Sequence, residues 1–144
     1  MKNILVSIDF NEKEVFLMDK AYQMAKAFEA KIWLIHIAAP DPDFVGYDVG
    51  PQYVRDTRAE DLRKEHQLLQ NYAQQLEENG VRAEGLLVQG GTVEVILEEA
   101  KKLNTDLIIT GHHKHNFLYR AFLGSVSEGI VKDSKIPVLL VPLD

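Results

Sequence analysis

The sequence predicts an α/β fold, a parallel sheet covered by helices on both faces. Five short runs, "NILVSI" (3–8), "KIWLIHI" (31–37), "RAEGLLV" (82–88), "DLIIT" (106–110) and "PVLLV" (137–141), are rich in Ile, Leu and Val. They are continuous rather than alternating, as strands buried on both faces tend to be. Segments with apolar residues at three- and four-residue steps separate them, the spacing of amphipathic helices. Strand–helix alternation of this kind implies right-handed crossovers and a parallel sheet.

The first helical stretch carries Leu17, Ala21, Met24, Ala25 and Phe28 on one face, and Asn11 with Glu14 has the spacing of a capping box at its start. The second, over about 57–79, presents Leu62, Leu69, Tyr72, Ala73 and Leu76 and stops at Asn79-Gly80. The third has Val93, Ile96, Leu97 and Ala100, with Thr92 as the expected N-cap after the Gly90-Gly91 turn. The fourth starts at Ser125 and runs to about Lys132. Residues 39–57, rich in Pro, Gly and Asp, show no clear periodicity and are expected to form a long loop.

At 144 residues the chain suits a single domain spanning 1–144 with one core. Sixteen Lys and Arg against 22 Asp and Glu leave a formal charge of −6, which argues against general nucleic-acid binding. That balance leaves room for one small anion in a local pocket. With no cysteine, thiolate zinc sites, disulfides and a cysteine nucleophile are excluded. The apolar start is cut by Asp9, unlike a signal peptide, and no stretch approaches the roughly 20 apolar residues of a membrane span. The chain reads as soluble and cytoplasmic, with no membrane partner.

In open α/β sheets ligands bind beyond the carboxyl ends of the strands, where the strand order reverses. The first predicted strand ends in "SIDFN", with Asp9 at its tip, and the fourth runs through Gly111 into "HHKHNFLYRAFLGS". If these two strands are neighbours, Asp9, Gly111 and the Gly124-Ser125 helix start converge on one crevice. A helix N-terminus offers unpaired N–H groups and a partial positive charge to a phosphate. Ser125 with Glu128 also has capping-box spacing, which needs no ligand.

From these residues the chain resembles the universal stress protein family. The match includes its nucleotide-binding spacing of Gly, two residues, Gly, nine residues, Gly-Ser/Thr, here Gly111, Lys114 in place of the second glycine, and Gly124-Ser125. "NILVSIDF", "LIHI" and "GSVSEGIVKDSKIPVLLVP" are similar to the family's first strand, second strand and C-terminal continuation. The resemblance implies a five-stranded parallel sheet of order 3-2-1-4-5, adenine nucleotide alpha hydrolase-like, with a crevice between strands one and four. It implies that Asp9 and Ile37, with Ser7 nearby, hold adenine and ribose, and that Gly111 lies against ribose and phosphates with His112 beside it. Gly124, Ser125, Val126 and Ser127 would take the phosphates. Lys114 either blocks the backbone approach that glycine permits or pairs with a phosphate as a point charge.

The implied ligand is ATP or AMP, with Mg²⁺ or Mn²⁺ if ATP. The implied role is a cytoplasmic stress-response regulator or sensor, not a true enzyme, with ATP hydrolysis slow at most. The alternative is a nucleotide-free dimeric interaction module of the same family. In both readings the apolar strand at residues 137–141 is an edge and the expected homodimer contact.

Other chemistries fit less well. His112, His113 and His115 form an HHxH run, but adjacent side chains point apart and no nearby Asp, Glu or Cys completes a tetrahedral set. His36 reads as a hydrogen-bonded core histidine, and His66 lies on a mostly polar helix. No GxxxxGK[ST], no GxGxxG after the first strand and no GxSxG elbow is present.

Overall fold

The computed structural model describes residues 1–10, 12–38, 52–112 and 125–143, the side chains of 52–56 and 125 excepted. Five parallel strands form one sheet: β1 (Asn3–Ser7), β2 (Lys31–Ala38), β3 (Ala83–Gln89), β4 (Leu107–His112) and β5 (Val138–Pro142). Their order is β3-β2-β1-β4-β5, as the family resemblance implied. Among the described residues the helices are α1 (Glu14–Phe28), α2 (Gln52–Glu78), α3 (Thr92–Lys102) and α4 (Ser125–Asp133).

Because side chains alternate across a strand, each strand feeds two cores. Ile4, Val6 and Ile8 of the first strand segment join Ile32, Leu34, Leu107 and Ile109 beneath Leu17, Ala21 and Ala25 of α1 and Leu69, Ala73 and Leu76 of α2. Leu5, Ile35 and Ile108 face the other way, against Ile96 and Ala100 of α3 and Ile130 of α4. Each fully buried Leu or Ile contributes about 1.5–3 kcal/mol. Continuous apolar strands are therefore what a sheet with two covered faces requires.

Several boundaries differ from the sequence expectation. The N-cap of α1 is Lys13, and Asn11 lies outside the described residues. Glu14 is thus the first helical residue rather than the third, so it cannot close the expected capping box. Phe28 is 49% exposed, because α1 ends there and Glu29 turns left-handed (φ 54°). Helix α2 starts at Gln52, inside the stretch expected to be a loop; Pro51 immediately before it is a residue favoured at helix starts. Residues 39–51, the rest of that stretch, lie outside the described residues.

The N-cap of α3 is Gly91 rather than Thr92. Gly91 has an extended backbone there (φ −73°, ψ 126°), which leaves Thr92 as the first helical residue. The stop at Asn79-Gly80 forms as expected: Gly80 takes φ 84°, its N–H donates to Glu77 O, and Val81 N–H donates to Leu76 O at 3.0 Å. That pair of hydrogen bonds is a Schellman closure, for which glycine's tolerance of positive φ is suited.

At the amino end of the sheet, Asp106 Oδ2 accepts from the backbone N–H of Lys2 (2.7 Å) and of Asn3 (3.0 Å). These bonds hold its carboxyl below the ordinary value of 3.8, against an opposing desolvation and with help from the charges of the N-terminus and Lys2.

Candidate functional site

Strand β1 is shorter than its neighbours at the carboxyl end. Its pairing with β2 ends at Ser7↔Ile35, with one further bond from Ile8 N–H to Ile35 O (2.8 Å). Its pairing with β4 ends at Val6↔Ile109. Beyond these points β2 continues to Ala38 against Gln89 of β3, and β4 continues to His112 against Pro142 of β5. A notch therefore opens above β1, between the ends of β2 and β4, where the strand order reverses.

Ser7 forms the floor of the notch and is 6% exposed. By alternation from Leu5, its side chain lies on the α3 and α4 side of the sheet. Asp9 follows at the mouth and is exposed. Its backbone N–H donates to Oε1 of Glu14 at 3.1 Å. Ile37, half-buried, stands on the β2 wall two residues past the last β1 pair and packs with the α3/α4 core.

On the opposite wall, Thr110 is 4% exposed and Gly111 is paired with Val141. His112 is exposed, and its carbonyl accepts Leu143 N–H at 2.8 Å.

Helix α4 begins at Ser125 and packs on β4 and β5. In a β–α–β crossover the helix runs against the strands, so its N-terminus lies at the sheet's carboxyl end, with its partial positive charge toward the notch side. Val126 packs in the α3/α4 core and Ser127 is 9% exposed. Lys114 and Gly124, and the side chain of Ser125, lie outside the described residues. So do His113 and His115. Among the described residues no three His, Asp or Glu side chains come together, and no described helix is long and apolar enough to cross a membrane.

Gly111 has a packing reason to be glycine. A β-carbon there would lie 2.5 Å from Leu143 Cδ1 and 3.1 Å from its Cγ. Leu143 is itself 3% exposed and belongs to the α1/α2 core.

Three further residues near the notch carry no site motif in the sequence. Thr110 is the polar end of an otherwise apolar run, on the same face as Ile108. Glu14 occupies the apolar stripe of α1, at the spacing 14, 17, 21, 25, and is 3% exposed. A carboxylate on such a stripe is a readable signal. His36 is the hydrogen-bonded core histidine expected: Nδ1 lies 2.7 Å from Ile8 O, and Nε2 lies 3.7 Å from Glu65 Oε2. His66 is exposed on α2, with Nε2 3.2 Å from Gln70 Nε2.

The universal stress protein family model matches residues 1–142. Universal stress protein YxiE of Bacillus subtilis is 29% identical over 143 residues, covering 96% of this chain and 97% of its own. A universal stress protein solved in complex with cAMP superimposes with a TM-score of 0.75 at 21% identity, over 99% of this chain and 98% of its own. A member from Arabidopsis thaliana with AMP bound gives a TM-score of 0.69 at 20% identity, over 99% and 92% respectively. At such identities the likeness shows the fold.

Proposed function

Because this chain belongs to the universal stress protein family, we propose that it is an adenine-nucleotide-binding regulator whose ligand sits in the notch between β1 and β4. The observation that carries this reading is the early end of β1 between two longer strands, with buried Ser7 at its floor and exposed Asp9 at its mouth. Asp9 offers a carboxylate to ribose or adenine donors, and Ile37 offers an apolar surface to the base. Gly111 and His112 border the ribose and phosphates. The phosphates meet the N–H groups at the start of α4, formed by Ser125, Val126 and Ser127 and preceded by Gly124. Lys114 supplies a point charge or closes the approach. The cAMP and AMP complexes of proteins with this fold support the choice of ligand.

With ATP, Mg²⁺ or Mn²⁺ would be held chiefly by the phosphates, as such cations retain several waters and few protein ligands. The output is a stress-response signal: nucleotide binding changes the surface a partner protein meets, to the extent that the ligand favours one conformer. The β5 edge carries the homodimer contact in this reading.

A second reading, a nucleotide-free dimeric interaction module, is favoured by Leu143, whose contact explains Gly111 without a ligand. A thermal-shift titration with ATP, AMP and Mg²⁺ separates the two. Ligand at about 100 times its Kd adds roughly 2.7 kcal/mol, or about 5–10 °C for a domain of this size. No shift at millimolar nucleotide removes the first reading, and gain of binding in Lys114→Gly then identifies the lysine as the block. If the wild type binds and Lys114→Ala weakens it, the lysine is a phosphate ligand.

A further inference from the structure

Residues 8–10 leave the sheet, and two side chains replace the lost ladder bonds. The Ile8 carbonyl can only accept, so His36 Nδ1 carries the hydrogen and donates to it at 2.7 Å. One residue on, the Asp9 N–H donates to Glu14 Oε1 at 3.1 Å. Phe10 then takes φ 59°, an uncommon conformation for an aromatic residue, with its ring 4.5 Å from the His36 ring and 6.2 Å from that of Tyr72. Glu14 is 3% exposed, and a carboxylate so buried is costly unless hydrogen-bonded. Burial first, and the Glu14 charge second, push the Tyr72 hydroxyl above its usual range. An apolar residue would fit the α1 stripe without that penalty, yet it could not accept the Asp9 N–H.

We propose that Glu14 is a positioning residue for the nucleotide site: its buried carboxylate fixes the backbone at Asp9, with His36 as the second anchor at Ile8, and so sets where the Asp9 side chain meets the ligand. This rests on the functional reading above. Glu14 touches no ligand and acts on the site by holding the Asp9 backbone. A merely structural role in α1 predicts a stability loss and no specific dependence on Asp9.

The test is AMP binding by calorimetry to the full chain, wild type against Glu14→Leu and Glu14→Gln, each alone and combined with Asp9→Ala. Leucine conserves volume and removes the acceptor; glutamine keeps an acceptor oxygen. Glu14→Leu is expected to weaken AMP about tenfold, the scale of one charge-assisted hydrogen bond. Glu14→Gln recovers most of that loss. In the Asp9→Ala background Glu14→Leu has little further effect, since coupled residues are non-additive.

Should Glu14→Leu fail to fold, His36→Phe, which keeps the ring on Phe10 and removes the donor, is put through the same cycle with the same expectation. Equal affinity in the acceptor-free variant, or an equal loss in both Asp9 backgrounds, overturns the positioning role and leaves the functional reading intact. Absence of AMP binding by the wild type overturns the functional reading, and the positioning role falls with it.

Discussion

Gly111 and Leu143 are in contact so close that no β-carbon fits between them: one built on Gly111 would come within 2.5 Å of Leu143 Cδ1. The pair joins the wall of the notch to the chain just after β5, because Leu143 N–H also bonds to His112 O at 2.8 Å. Gly111→Ala is expected to destabilise the protein by about 1–3 kcal/mol through overpacking. In the Leu143→Ala background, which opens space, the same substitution costs less. Urea denaturation of the four proteins measures the coupling; additive losses would show that the two residues do not meet.

Asp106 gives a pH dependence. Its carboxyl is held below the ordinary value by the Lys2 and Asn3 N–H groups, so the folded state binds fewer protons than the unfolded state near that value. Its contribution is present above the unfolded pKa of about 4 and is lost as pH falls through the lower folded value. Asp106→Asn is expected to flatten that part of the stability profile. Melting temperatures recorded from pH 5 to pH 2.5 check this, and parallel profiles for the two proteins would count against it.

The outer strand β5 leaves Leu140 43% exposed among half-buried neighbours Val138 and Leu139. A charge in an apolar edge opposes pairing with a second copy. If β5 carries the proposed homodimer contact, Leu140→Asp converts a wild-type dimer to monomers. Size-exclusion chromatography with light scattering reads the outcome, and a dimer that survives the substitution places the contact elsewhere.

The sheet was legible because continuous Ile/Leu/Val runs have few other stable uses, and the strand order followed from the family resemblance. Helix starts were less legible, since Lys13 and Gly91 cap α1 and α3 with no side-chain bond, which leaves no signature. Asp9 was readable as the tip of the first strand, whereas Ser7 and Ile37 followed only from the family resemblance; Ser7 ends β1, and Ile37 lies two residues past the last β1 pair on β2. The early end of β1 was not readable, because Ile8 continues the apolar run and yet makes only one ladder bond. Nor was the reason for Gly111, since Leu143 is 32 residues away and meets it only through the pairing of β4 with β5. Glu14 was visible as a charge on an apolar stripe, but only the folded turn shows that it faces the Asp9 amide.

Occupation of the notch above β1 by an adenine nucleotide is tested most directly by following backbone amide resonances of ¹⁵N-labelled protein during titration with AMP. Saturable shifts are expected at Ser7, Asp9, Ile37, Gly111, His112, Val126 and Ser127, with little change at the amino end around Lys2 and Asp106. No shifts at millimolar AMP, or shifts clustered at the amino end or around Met18, Tyr22 and Leu76, which line a groove between α1 and α2, would contradict it.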